Sequence, residues 1–170
     1  MDDGTGFTAF VEARGPSLLR FAWLLTADAD SAQDLVQEAL TRVVPGWGRI
    51  APAAREAYVR TTIRRIWVDG WRRRGGRRVD PVAEPPDVAR DDAPVEDRLT
   101  VQQALARLAP RQRAVLVLRF YEDLTERQTA DALGVTVGTV KSQTRDALDR
   151  LRVLAPELAE AFGRTQEVSA

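Results

Sequence analysis

The sequence predicts an all-α protein made of two small helical domains joined by a flexible acidic linker. Three observations carry this expectation. Apolar residues recur at helical spacing along most of the 170 residues. The stretch "GGRRVDPVAEPPDVARDDAPVED" breaks that pattern with four prolines and an excess of acids, as a linker that is PPII-like in places would. The formal net charge is zero, yet the sign alternates by segment. Residues 1–54 hold four arginines against seven acids, and residues 55–78 hold nine against two. Residues 79–98 hold two arginines against seven acids, and residues 99–153 hold nine basic residues against six acidic ones. Local charge decides local partners, so the neutral total excludes little.

The elements follow in order. Phe7, Phe10, Val11, Leu18, Leu19, Ala22 and Leu25 recur at helical spacing, with a break expected at Gly15-Pro16. In "TADADSAQDLVQEALTRVV" a turn precedes a helix, Asp30 reads as its N-cap with Gln33 completing a capping box, and Pro45-Gly46 ends it. "GWGRIAPAAR" reads as a loop. Residues 55–74 form the next helix, with Tyr58, Ile63, Ile66, Trp67 and Gly70 sharing a face and arginines over much of the rest. After the linker, periodicity resumes at Leu99, and Pro110 opens a further helix with Val115, Leu116, Leu118 and Phe120 inward. Thr125 caps "ERQTADAL", Gly134 ends it, and Thr136 caps a long final helix. The segment from Ala155 reads as a short amphipathic turn or two and a loose end.

Composition narrows the function. With no cysteine there is no disulfide, thiolate nucleophile or zinc-thiolate site, and with no histidine the commonest metal ligand and general base are missing. No apolar run reaches the ~20 residues a membrane span needs. The N-terminus "MDDGTGF" is acidic, unlike a signal peptide. A cytoplasmic protein that is not an enzyme and has no cofactor is expected.

Three stretches carry chemistry. Residues 125–151 have the layout of a helix-turn-helix, anchored by Leu133, Val135, Val140, Ala147, Leu148 and Leu151, with small Ala130 letting the helices approach. Its second helix would expose Thr136, Gly138, Thr139, Lys141, Ser142, Gln143 and Arg145, with Arg127 on the first helix. Short side chains and a glycine permit close approach to a major groove, cations suit phosphate or guanine, and glutamine suits adenine. An ordinary helical hairpin with a solvated face is the competing reading. "EAYVRTTIRRIWVDGWRRRGGRR" interleaves Tyr58, Trp67 and Trp71 with Arg60, Arg64, Arg65 and Arg72, a mixture that suits single-stranded nucleic acid, unless Trp67 is core and the arginines are merely solvated. "DLVQEAL" sets Asp34, Gln37 and Glu38 on one helix face, either solvated or docking a basic partner. Two carboxylates without a third ligand do not make a metal site.

These stretches, in this order, resemble a bacterial RNA polymerase sigma factor of the extracytoplasmic-function (ECF) type, of an actinobacterial subgroup. "RFAWLLTADADSAQDLVQEALTRVV" resembles the family segment that docks on the polymerase clamp helices. "AYVRTTIRRIWVDGWRRR" is similar to its minus-10 recognition helix, and "LAPRQRAVLVLRFYEDLTERQTADALGVTVGTVKSQTRDALDRLR" to its minus-35 reader. The resemblance implies sigma region 2 over residues 5–77, a flexible linker over 78–98, sigma region 4 over 99–153 and a C-terminal tail over 154–170. It also implies core RNA polymerase and promoter DNA as partners, with an anti-sigma factor as many members have. Polymerase docking falls to Asp34, Gln37 and Glu38. Melted minus-10 DNA falls to Trp47, Arg60, Arg64, Arg65, Trp67, Trp71 and Arg72, with "PGWGRIAPAAR" as a flipped-base pocket. The minus-35 duplex falls to Arg127, Thr136, Gly138, Thr139, Lys141, Ser142, Gln143 and Arg145. The linker, in this picture, threads the RNA exit path. One departure stands out: where the family often reads "VKSRLSRAL" this chain has "VKSQTRDAL", so Gln143 and Thr144 replace an arginine and an apolar residue, and Asp146 brings a negative charge near phosphate. A stand-alone helix-turn-helix regulator is the alternative, but it needs a dimer seam that the sequence does not supply and leaves the "DLVQE" face without a use. A helical scaffold without DNA binding is at odds with the segmental charge.

Overall fold

The computed structural model describes residues 3–73 and 101–168. The chain divides into two compact units, Met1–Arg78 and Val79–Ala170. Every regular element among the described residues is helical. The linker expected over residues 78–98 lies outside them.

In the N-terminal unit, α1 (Asp3–Thr26), α2 (Ala29–Val43) and α3 (Arg55–Arg73) pack on one another. The break expected at Gly15-Pro16 does not occur, because α1 runs through with Pro16 inside it. An interior proline costs ~3 kcal/mol through a lost hydrogen bond and a clash. Beyond it, Leu18, Phe21, Ala22, Leu24 and Leu25 are all buried against the unit's core. At roughly 1.5–3 kcal/mol for each large side chain, that packing outweighs the proline. Leu19 faces outward instead of in.

The α1–α2 turn also differs from expectation. Ala27 takes a left-handed conformation (φ 54°), and Asp28, not Asp30, caps α2 by accepting a hydrogen bond from the Ser31 N–H at 2.8 Å. Asp30 falls in the first turn, where a negative charge suits the helix dipole. Hydrogen bonds from the Ser31 side chain and backbone hold the Asp28 carboxyl below the usual aspartate range. The stabilisation from this cap is therefore present above that range and lost as the pH falls through the lowered value. Asp28→Asn, which still caps, is expected to flatten this acid limb in a urea titration repeated across pH.

After α2 the chain tightens into a 3-10 turn over Val44–Arg49, with Pro45 at its start, and a second over Pro52–Ala54. In α3 the buried residues are Val59, Ile63, Ile66, Trp67 and Val68, whereas Tyr58 points out, 51% exposed.

The C-terminal unit comprises α4 (Val101–Ala106), α5 (Pro110–Leu116), α6 (Glu126–Leu133), α7 (Val137–Leu154) and α8 (Pro156–Val168). Pro110 opens α5 as expected, and a π-helical turn over Val117–Tyr121 extends it. Leu105, Leu108, Val115, Leu116, Val117 and Leu118 are buried, as are Val140, Ala147, Leu148 and Leu151 of α7, which packs on α5. Arg113 is buried, its guanidinium donates to the Leu108 carbonyl, and burial pushes its pKa down from the ordinary value. The tail is more structured than a loose end. Residues 156–168 form a full helix that packs on α7, with Ala159 buried and Phe162 against Phe120 at 5.1 Å between ring centroids.

Thr129 is fully buried in α6, and its hydroxyl has no hydrogen-bond partner among the described residues. Such a group costs about 1–3 kcal/mol. Thr129→Val, nearly the same shape without the hydroxyl, is expected to stabilise this unit by ~1 kcal/mol, seen as a raised unfolding midpoint. No helix of the described residues is long and apolar enough to cross a membrane.

Candidate nucleic-acid interface

The helix-turn-helix is built by local chemistry. The Thr125 hydroxyl accepts from the Gln128 N–H at 3.1 Å, and the Gln128 side chain accepts in return from the Thr125 N–H at 2.8 Å, a complete capping box. At the other end of α6, Gly134 takes φ 66°, a conformation that costs glycine little. The Val135 N–H then reaches back to the Ala130 carbonyl at 3.0 Å, closing a Schellman turn. Thr136 caps α7, accepting from the Thr139 N–H at 3.1 Å and sharing a hydroxyl–hydroxyl bond of 2.9 Å with Thr139. Those two hydroxyls are thus partly committed to the fold.

The expected reading face is laid out along the first turns of α7. Thr136, Gly138, Lys141 and Arg145 are exposed, Thr139, Ser142 and Gln143 are half-buried, and Arg127 is exposed on α6. Ser142 also donates to the Thr139 carbonyl. A Cβ placed on Gly138 would meet only the Thr136 hydroxyl at 3.7 Å, so the fold itself does not require glycine there. The substituted position Thr144 keeps the helix register: it is buried where the family often has an apolar residue, and its hydroxyl donates to the Val140 carbonyl at 2.8 Å. Beside the face, an open groove of about 290 Å³ is lined by Glu126, Lys141, Thr144, Arg145, Leu148 and Arg152.

In the N-terminal unit the structure redistributes the expected minus-10 residues. Trp47 is 2% exposed, its ring edge-on to Phe7 at 5.0 Å, tilted against Phe10 at 4.8 Å and covered by the Arg55 guanidinium at 4.5 Å. Trp67 is likewise buried. Both rings are packed in the core of this unit, where each is large enough to fill a gap between helices. Trp47 anchors the loop that is expected to form a flipped-base pocket.

Two stripes emerge along α3. Arg60, Arg64, Trp67 and Trp71 follow at steps of four, three and four and turn toward the fold. Arg60 pairs with Glu56 at 3.4 Å, donates to the Ser17 hydroxyl at 2.9 Å and lies over the Phe21 ring. Arg64 is half-buried, and Trp71, also half-buried, stacks parallel on Trp67 at 6.3 Å. Tyr58, Arg65 and Arg72 lie on the solvent side at steps of seven. Tyr58 lies on this surface, as its interleaving with the arginines expects, and not on the inward face that its spacing to Ile63 and Ile66 suggests.

On α2 the two faces separate as the pattern expects: Leu35, Val36 and Ala39 are buried, and Asp34, Gln37 and Glu38 are exposed. Glu38 pairs with Arg42 one turn on. Among the described residues no group of three or more Asp or Glu side chains is placed to hold a metal ion.

Comparison with known proteins agrees with this geometry. Residues 10–77 match the family Sigma-70 region 2, and residues 104–153 match Sigma-70, region 4. The chain is 40% identical over 149 residues to the RNA polymerase sigma-E factor of Streptomyces avermitilis, covering 86% of this chain and 83% of the relative. It is 33% identical over 157 residues to the ECF RNA polymerase sigma factor SigL of Mycobacterium tuberculosis, covering 88% and 89%. Among solved structures it is similar to the sigma factor RpoE, crystallised in complex with the anti-sigma factor NepR from Bartonella quintana, with a TM-score of 0.54, 25% identity, and 87% and 95% of the two chains covered. An all-α chain that carries both sigma regions in order, at this identity and coverage, belongs to the ECF RNA polymerase sigma factors.

Proposed function

We propose that this chain directs promoter-specific transcription initiation by binding core RNA polymerase through α2 and reading promoter DNA with both units. The observation that carries the minus-35 reading is the start of α7, where an open glycine is set among exposed polar and basic side chains on a rigidly capped turn. Lys141 and Arg145 supply phosphate contacts and Gln143 supplies base identity. On α3, Tyr58, Arg65 and Arg72 form the face offered to the melted minus-10 strand, with Trp71 at its edge. Stacking a base on an aromatic ring is worth ~1–3 kcal/mol, which offsets part of the cost of unpairing. The protein works in the cytoplasm without catalysis of its own, and the anti-sigma complex of its structural relative supports an anti-sigma factor as a regulatory partner.

The test is run-off transcription by core polymerase on a library of GC-rich promoters, with and without the chain. New start sites that appear only with the chain are expected. Sequence-specific DNA binding with no effect on polymerase would assign it to stand-alone regulation instead.

The α2 face gives a sharper expectation. Glu38→Arg reverses an exposed charge and replaces one i,i+4 ion pair by a repulsion, a stability change of only ~0.5 kcal/mol. The variant is expected to stay folded and to lose at least tenfold in affinity for core polymerase, read by pull-down titration.

A further inference from the structure

The groove beside the α7 reading face has three cations in its lining, and each is paired with a carboxylate of the same unit. Lys141 Nζ lies 3.6 Å from Glu126, Arg145 lies 3.8 Å from Asp146, and Arg152 pairs with Asp149. The second and third pairs are between near neighbours on α7. The first joins two helices: Glu126 stands in the first turn of α6, held there by the Thr125 cap, and reaches across to the lysine on α7. Lys141 keeps 64% of its side chain exposed, so the pair adds little to stability. Its larger consequence is for any anion that approaches, because a phosphate must displace Glu126 before it can take the lysine.

Resting on the reading of α7 as a DNA reader, we infer that Glu126 is a positioning residue that competes with the DNA backbone for Lys141, so that the lysine's phosphate contact forms only when Glu126 is displaced. It keeps the chain's sequence-independent affinity low and leaves recognition to base contacts. Asp146 and Asp149 act in the same sense on their arginines. Electrostatic contacts to phosphate supply most non-specific binding, so one guarded cation removes about one ion pair's worth of it. A first-turn acid also suits the dipole of α6. That alternative role would show in the melting temperature and would leave the salt dependence of DNA binding untouched.

The experiment measures binding of the full chain to a short duplex of scrambled sequence across a salt series. The variants are Glu126→Gln, Lys141→Gln and the double change. Glu126→Gln is expected to steepen the slope of log affinity against log salt by about 0.9, so that over a fourfold drop in salt it gains about 3.5-fold on the parent. In the Lys141→Gln background the same change is expected to do nothing. An unchanged slope in Glu126→Gln overturns the inference, as does an equal gain with and without the lysine, which would mean general acidic repulsion. If the parent binds no duplex at any salt while variants at Tyr58 or Arg65 still impair transcription, the reading of α7 itself fails and takes this inference with it.

Discussion

Trp47→Ala is expected to strip the N-terminal unit of much of its stability. The ring is almost wholly buried between Phe7, Phe10 and Arg55, and truncating a buried tryptophan costs ~3–5 kcal/mol. That is a large part of the roughly 5–15 kcal/mol that holds a whole domain. The two 3-10 turns after α2 lose their anchor, and α1 loses its contact with them. Circular dichroism should show loss of part of the helical signal at room temperature, and pull-down on core polymerase should fail. Trp47→Phe separates a core role from a stacking role. It keeps an aromatic ring in the core and removes an indole N–H that has no hydrogen-bond partner among the described residues. The smaller ring should leave the fold intact, at a cost in stability below the ~3–5 kcal/mol of Trp47→Ala. A Trp47→Ala protein that stays folded and docks on polymerase but melts promoters poorly would return this tryptophan to the DNA surface.

The contrast between the two units shows which features a sequence exposes. The caps of the helix-turn-helix were legible, since Thr125 with Gln128, the left-handed Gly134 and Thr136 each act within a few residues of chain. Local chemistry leaves a local mark. The inward faces of α2 and α7 were legible for the same reason, their burial following a single clean period. Pro16 suggests a break that the fold does not make, because its cost is local while its compensation, the packing of Phe21, Leu24 and Leu25, is tertiary. The cap of α2 lies two residues before the expected one because Asp28 and Asp30 both suit a cap by residue type, and only the left-handed turn at Ala27 decides between them. For Trp67 and Tyr58 the sequence leaves both sides open, core and stacking surface, for a third reason. An aromatic residue among arginines has the same composition whether it faces DNA or the core, and α3 carries two stripes that interleave at nearly the same spacing. The helix α8 was underestimated because its anchor, Phe162 on Phe120, joins residues far apart in sequence.

Gly138→Leu is expected to move stability and DNA binding in opposite directions. Gly138 sits in the first turn of α7 with ordinary helical backbone, and a side chain placed there meets nothing but the Thr136 hydroxyl at van der Waals distance. Replacing glycine by leucine in a helix therefore stabilises the unit by up to ~0.8 kcal/mol. The same added bulk stands on the surface proposed to enter the major groove. Forcing it into a closely packed contact costs ~1–3 kcal/mol, which is about fivefold to 150-fold in affinity. Gln143→Ala is the companion variant. It removes a bidentate partner for adenine and should cost ~1–3 kcal/mol on the preferred minus-35 sequence and little on scrambled DNA. Steric exclusion at Gly138 should instead weaken cognate and scrambled duplexes alike. The two variants thus divide the face into a part that admits DNA and a part that reads it, in one set of titrations on matched and scrambled duplexes with thermal melts alongside. If Gly138→Leu raises the unfolding midpoint and binds both duplexes as tightly as the parent, α7 does not enter the groove by its N-terminal turn, and the contacts assigned to Lys141 and Gln143 fall with it.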